Sequence, residues 1–318
     1  MKIALDAMGG DQAPEAIVEG AFIAAREQPE CEIILVGDSA RINALLNRHR
    51  KKLPNVSVHH ASQVIEMSES PLLGLRQKKD SSIGVAVQLV KEGKADAIVS
   101  AGNTGAVVTA TKLKLRFLEC IERPAIATVF RHHKGFSVLL DAGANIDCKP
   151  QYLFEFAVMG STYAREVLRH PSPRVGLLSI GEEATKGNEL TKEAYKLLEK
   201  SNLNFIGNVE GRDVLSGAAD VIICDGFVGN VVLKVGEGVA AYFKDMLRKE
   251  FTQNPLRKLG ALLLLGAFKS ISRKTDYAEV GGAPLIGVKG TCIISHGSSS
   301  PKAIKNAVST RRMPPWFA

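Results

Sequence analysis

Glycine, asparagine, serine and charged residues recur together at five points of the chain, each time directly after a short apolar run. The five loops are Ser100-Ala-Gly-Asn-Thr-Gly105, Asp141-Ala-Gly-Ala-Asn145, Ser179-Ile-Gly-Glu-Glu183 continuing to Lys186-Gly-Asn188, Asp225-Gly-Phe-Val-Gly-Asn230 and Ser295-His-Gly-Ser-Ser-Ser300. Glycine lets a backbone approach a ligand and turn its N–H groups outward, while Asn, Ser and Thr add neutral donors and helix caps. One such loop is ordinary; five imply a shared anion site. Lys186, set among Gly181, Gly187 and Asn188, reads as the cation of that site or as a solvated loop lysine. Asp225 and Asn230 bracket Gly226 and Gly229, an arrangement that serves a ligand or merely caps a helix. His296, beside Gly297, is a proton donor or a plain loop histidine.

These loops need elements that bring them together. Apolar runs at 2–6, 33–36, 56–59, 95–100, 125–130, 137–140, 175–179, 221–224 and 292–295 predict strands. Several are near-continuous rather than alternating, as in strands covered on both faces. Helical patterns fall between most of them, at 14–27, 39–48, 82–91, 104–117, 150–168, 191–200 and 231–251. This alternation predicts an α/β fold with a largely parallel sheet sandwiched by helices. The carboxyl ends of parallel strands face one crevice, so loops distant in sequence converge there. No linker or repeat interrupts the pattern, so residues 1–318 are read as one catalytic domain whose two lobes flank a cleft.

With 318 residues, 45% hydrophobic and 23% charged, the chain has the composition of an ordinary globular protein. Its 41 Lys and Arg against 33 Asp and Glu give +8, which favours anionic partners. Aromatics are only 6%, and no basic stripe interleaved with stacking residues points to nucleic acid. Five widely spaced cysteines without a Cys-x-x-Cys pair fit reduced thiols, with Cys224 and Cys292 as small core residues. The chain opens directly on the 2–6 strand without a secretory pattern, so a cytoplasmic protein is expected.

Several sites are excluded by their missing motifs. There is no Gly-x-x-x-x-Gly-Lys-Ser/Thr, no Gly-x-Gly-x-x-Gly after a strand and no Gly-x-Ser-x-Gly. His132 and His133 are adjacent on a strand, point to opposite faces and have no evident third ligand, so no metal is expected. The segment 254–274 is different in kind. Leu256, Leu259, Leu262, Leu263, Leu264, Leu265 and Phe268 are flanked there by Arg257, Lys258, Lys269, Arg273 and Lys274. The apolar stretch is far short of the roughly 20 residues that span a bilayer. It reads either as a buried or subunit-interface helix, or as an interfacial segment that sets leucines into a membrane while basic flanks meet anionic headgroups.

Eight blocks in register carry a family resemblance: Leu5-Asp-Ala-Met-Gly-Gly-Asp11, Ser100-Ala-Gly-Asn-Thr-Gly-Ala106, Leu140-Asp-Ala-Gly-Ala-Asn145, Gly181-Glu-Glu183 with Lys186-Gly-Asn188, Gly207-Asn-Val-Glu-Gly211, Cys224-Asp-Gly-Phe-Val-Gly-Asn230, Gly281-Gly-Ala-Pro284 and Ser295-His-Gly297. In this order and nearly end to end, they resemble the bacterial phosphate acyltransferase (PlsX) family. The resemblance implies a homodimeric fold similar to phosphotransacetylases and isocitrate dehydrogenases, without cofactor or metal. It implies transfer of a long-chain acyl group from acyl carrier protein to inorganic phosphate, giving acyl phosphate for phosphatidic acid synthesis. It also implies peripheral association with the inner face of the membrane, through Leu259, Leu262, Leu263, Leu264 and Phe268, and a glycerol-3-phosphate acyltransferase as downstream partner. The chain departs from the family at Ser179, where many relatives carry Asn, in its Ser298–Ser300 run and in its tail from Arg311.

Together, loop chemistry and resemblance assign Lys186 to phosphate or the oxyanion, His296 to the leaving thiolate and Asp225 to orienting Lys186 or a loop. Ser100, Asn103, Thr104, Asn145, Asn188 and Asn230 are expected to position phosphate. A phosphotransacetylase using acyl-CoA shares this loop chemistry. An NAD-dependent decarboxylating dehydrogenase would need a carboxylate metal cluster, and a non-enzymatic anion- or lipid-binding scaffold would bind without turnover.

Overall fold

The structure, a computed structural model, describes residues 1–49, 52–267 and 281–309. Its strands are β1 (Lys2–Asp6), β2 (Glu32–Gly37), β3 (Val56–His60), β4 (Ala97–Ser100), β5 (Ala125–Ile126), β6 (Thr128–His132), β7 (Gly135–Leu140), β8 (Val175–Leu178), β9 (Phe205–Val209), β10 (Val221–Ile223), β11 (Ala283–Ile286) and β12 (Thr291–Ile294). Its helices are α1 (Glu15–Glu27), α2 (Ser39–Leu46), α3 (Pro71–Gln77), α4 (Ser82–Lys91), α5 (Thr104–Lys114), α6 (Pro150–Glu166), α7 (Glu189–Glu199), α8 (Gly226–Thr252), α9 (Pro255–Leu263) and α10 (Pro301–Val308).

Two sheets result, in the orders β3-β2-β1-β4-β12-β11-β5 and β6-β7-β10-β8-β9. Strands β3, β2, β1, β4 and β12 run parallel, and β11 is antiparallel to both its neighbours. In the second sheet only β6 runs antiparallel. Alternate residues of the inner strands feed different cores, which explains their near-continuous apolar runs. Ile3, Leu5, Ala97 and Val99 pack into one cluster, while Ala4 and Ile98 pack into another on the opposite face. Val221 and Ile223 likewise face one way and Ile222 the other.

The run 125–130, expected as one strand, changes partner midway. Only Ala127 separates β5 from β6, and its N–H donates to the Pro284 carbonyl at 3.0 Å. One stretch of backbone thus passes from the first sheet to the second. Four elements escape the sequence pattern: β9, interrupted by Gly207 at φ +93°; β11, which contains Pro284; and the short helices α3 and α10, each opening on proline. Cys224 and Cys292 are buried as expected.

Register aligns the carboxyl ends of the strands. Leu5 pairs with Val99 and Ile294 with Ser100 in the first sheet; Ile223 lies between Leu140 and Leu177 in the second. The five glycine-rich loops all leave from these ends.

Candidate active site

In the first sheet, Asp6 ends β1 with no exposure and accepts from the Ser100 hydroxyl at 2.7 Å and the Met8 N–H at 3.2 Å. Burial pushes its carboxyl above the usual range, against hydrogen bonds from Ser100, Ser82 and the N–H groups of Met8 and Gly9. The next loops are laced to this point. A Cβ on Gly9 would come within 2.7 Å of Gly102 Cα, so two backbones meet where only glycine fits. The Asp11 N–H donates to Gly297 O at 2.8 Å, and the Ser295 N–H to Ser100 O at 2.8 Å.

Asn103 is the N-cap of α5, accepting from the Ala106 N–H at 3.0 Å. Its Nδ2 contacts the carbonyls of Glu66, Met67 and Glu69 at 3.1, 3.2 and 3.1 Å. The side chain expected to serve phosphate therefore has its donors on backbone carbonyls and holds the 66–69 loop over the site. Thr104, half-buried, opens α5.

Asp141 repeats the theme in the second sheet. It accepts from Ile126, Gly143, Ala144 and Asn145 N–H groups at 2.9, 3.2, 3.1 and 2.6 Å, and from Asn145 Nδ2 at 2.9 Å. Burial raises its carboxyl, opposed by these bonds. Asn145 also donates to Pro124 O at 2.7 Å, so its carboxamide ties the loop to the inter-sheet strand. Asp225 caps α8, accepting from Val228 N–H at 2.9 Å, and Gly226 N–H donates to Asn145 O at 2.7 Å. A Cβ on Gly229 would run into the Asp141 carbonyl, which lets the first turn of α8 lie against that loop. Asn230, exposed in the same turn, faces Gly143.

Lys186 stands exposed on the loop after β8, its N–H held by Glu183 O at 2.9 Å. Asn188 caps α7, accepting from Thr191 N–H at 2.9 Å. Beneath this loop, Asn208 donates to Glu183 O at 2.8 Å, while Asn208 Oδ1 and Ser179 Oγ are buried without a hydrogen-bond partner among the described residues. Such atoms carry an uncompensated desolvation cost that a bound water or ligand group would relieve.

His296 joins the two halves. Its Nδ1 lies 2.8 Å from Ser298 Oγ, and its Nε2 is hydrogen-bonded to Lys234 Nζ of α8. Lys234 also pairs with Glu237 at 2.9 Å. The structure thus groups Ser100, Asn103, Thr104 and His296 on the first sheet and Asn145, Asp225 and Asn230 on the second, with Lys186 and Asn188 on the neighbouring β8 loop. Sequence reasoning assigned no role to Asp6 or Asp141, although each stands between an apolar run and a glycine-containing loop. It missed Lys234 altogether, and nothing in the helical pattern marks that lysine.

Neutral donors and backbone N–H groups at the strand ends of both sheets, with Lys186 on the β8 loop and Lys234 on α8, suit an anionic reactant. A family model described as fatty acid synthesis protein matches residues 1–313. A phosphate acyltransferase from Pelotomaculum thermopropionicum is 53% identical over 312 residues, covering 98% of this chain and 91% of that protein. One from Moorella thermoacetica is 53% identical over 311 residues, covering 97% and 90%. Among solved structures, a phosphotransacetylase from Streptococcus pyogenes aligns with TM-score 0.60 at 18% identity, covering 97% of this chain and 92% of that one. The EutD phosphotransacetylase from Staphylococcus aureus gives 0.59 at 17% identity, with the same coverage. The protein is an α/β acyltransferase with a phosphotransacetylase-like fold. It belongs to the phosphate acyltransferase family of fatty acid synthesis proteins.

Proposed function

We propose that the protein transfers a long-chain acyl group from acyl carrier protein to inorganic phosphate, forming acyl phosphate for phosphatidic acid synthesis. Phosphate as acceptor follows from the name its relatives bear. The observation that supports the reading is that donor-rich loops leave the carboxyl ends of strands in both sheets, and that His296, after β12 of the first sheet, is hydrogen-bonded to Lys234 of α8, which follows β10 of the second. Phosphate near neutral pH is already a nucleophile, so the protein needs to neutralise, desolvate and align it against the thioester carbonyl. Lys186 holds phosphate or the developing oxyanion. Asn188 and Asn230, exposed at helix starts, add donors, while Asn103, Asn145 and Ser100 keep their loops in place. Asp225 orients the start of α8, and the thiolate departs at the His296 end.

The carrier as donor draws support from the charge of +8, since carrier proteins are acidic. A homodimer draws support from α8, where Val231, Val235, Val239, Tyr242 and Phe243 form an exposed apolar stripe that a second copy would cover. Leu259, Leu262, Leu263 and Leu264 are 57%, 61%, 80% and 49% exposed, so α9 is not buried within its own chain; Phe268 lies outside the described residues. No described helix is long and apolar enough to cross a membrane. Contact with the inner face of the membrane through these leucines, residence otherwise in the cytoplasm, one two-lobed domain over 1–318 and a glycerol-3-phosphate acyltransferase as consumer complete the reading.

The test is an assay without added metal or NAD, using palmitoyl carrier protein and inorganic phosphate, with palmitoyl-CoA in parallel. Phosphate-dependent release of carrier thiol together with acyl phosphate is expected. Turnover with CoA alone would replace the carrier by CoA, and none with either would sink the reading.

A further inference from the structure

Lys234 stands on α8, nine residues after the Asp225 cap, and reaches across to the loop that follows β12. Its ammonium has three N–H bonds and no lone pair, so it can only donate. One N–H meets Glu237 Oε2 at 2.9 Å and another meets His296 Nε2. Among the described residues the third has no partner. Nε2 therefore accepts from the ammonium, while Nδ1 lies 2.8 Å from Ser298 Oγ and 3.2 Å from the Ser298 nitrogen, whose N–H points at it. In this arrangement His296 has no Nε2 proton to give, and its role is to hold Lys234.

We propose that Lys234 is the catalytic residue that stabilises the departing thiolate, with His296 and Glu237 as its positioning residues. This rests on the acyl-transfer reading. A phosphate oxygen forms a bond to the thioester carbon, and the tetrahedral intermediate then expels either phosphate or sulfur. Phosphate is the weaker base and leaves more readily, so the intermediate reverts unless the sulfur is favoured. As the C–S bond breaks, its electron pair goes to sulfur, and the third N–H of Lys234 supplies a charge-assisted hydrogen bond there. A thiolate is a weaker base than an amine, so no proton need leave the lysine. The thiolate departs with its carrier and takes a proton from water. The Lys234 side chain is 44% exposed, so it is open to solvent.

The test compares palmitoyl-pantetheine with the thiophenyl ester of palmitate, whose sulfur leaves without assistance, in the wild type, Lys234→Met, Lys234→Arg and His296→Gln. Lys234→Met should lower kcat about 100-fold on the pantetheine ester and leave the thiophenyl ester within about threefold. Lys234→Arg should recover part of the loss, and His296→Gln, whose carbonyl still accepts from Lys234, should fall less than Lys234→Met. Equal losses on both esters, or wild-type rates for Lys234→Met on both, would overturn the assignment. A wild type that turns over neither ester with phosphate would instead overturn the acyl-transfer reading on which it rests. Circular dichroism of each variant guards against loss of fold.

Discussion

The carboxamide of Asn103 reaches the Met67 carbonyl at 3.2 Å while its oxygen caps α5 through Ala106 N–H at 3.0 Å. One side chain therefore starts a helix and fastens the loop above it. The two tasks separate chemically. Asn103→Ala loses both and should cost about 2–3 kcal/mol, roughly 1 from the cap and the rest from carbonyls left without a donor. Asn103→Asp keeps the cap but turns a carboxylate toward the Glu66, Met67 and Glu69 carbonyls, so it should be no more stable than Asn103→Ala. Urea unfolding measures the cost, and amide exchange at 66–69 should accelerate in both variants.

Lys186 is exposed and makes no described side-chain ion pair, so its removal should spare the fold. Lys186→Ala should lower kcat/KM for phosphate about 100-fold, the usual consequence of losing a donor to developing negative charge. Unfolding midpoints should match those of the wild type. Near-normal phosphate dependence would remove Lys186 from the site.

Arg174 grips Asp220 away from the site, through Nη2 to Oδ1 at 2.9 Å, Nε to Oδ2 at 3.1 Å and its own N–H to Oδ2 at 2.9 Å. Burial pushes the Asp220 carboxyl up, but the hydrogen bonds and charge of Arg174, helped by His170, hold it below the usual carboxylate range. A carboxyl lowered in the folded state contributes stability above its unfolded value of about 4 and loses it as pH falls through the folded value. Arg174→Ala should therefore cost about 1–2 kcal/mol at pH 7, reduced by the partial exposure of the arginine. Below about pH 4 the difference should shrink. Thermal unfolding of both proteins from pH 7 to pH 3 checks the sign.

The strands buried on both faces were legible because apolar runs such as Ala97–Ser100 leave little alternative, and the glycine-rich loops marked their carboxyl ends. What the sequence hides is partnership. The 125–130 run looks like one strand, and only the tertiary fold makes Ala127 the point where it changes sheets. Pro284 disguises β11, whose place between β12 and β5 depends on residues more than 150 positions away. Asn103 and Asn145 were recognisable as donors, but their acceptors, Glu66 and Pro124 among them, carry no signature because any residue supplies a carbonyl. Lys234 is one charged residue on a long helix, and its contact with His296 is set by how α8 leaves Gly229, whose missing side chain lets the helix lie against Asp141.

Leu263 and Leu264 sit at the end of α9, 80% and 49% exposed, on a helix whose first turn carries the basic Arg257 and Lys258. Apolar side chains of this size gain about 1.5–3 kcal/mol each on burial, so two of them decide whether a peripheral protein stays on a bilayer. Replacing both with Glu removes that gain and adds repulsion from anionic headgroups. The double variant Leu263→Glu/Leu264→Glu should lose flotation with anionic liposomes, partitioning at least about 100-fold less, while keeping the wild-type mass in solution and its turnover of a soluble donor. A variant that still floats would detach α9 from the membrane reading. One that changes mass while the wild type is a dimer would place these leucines between copies of the chain instead.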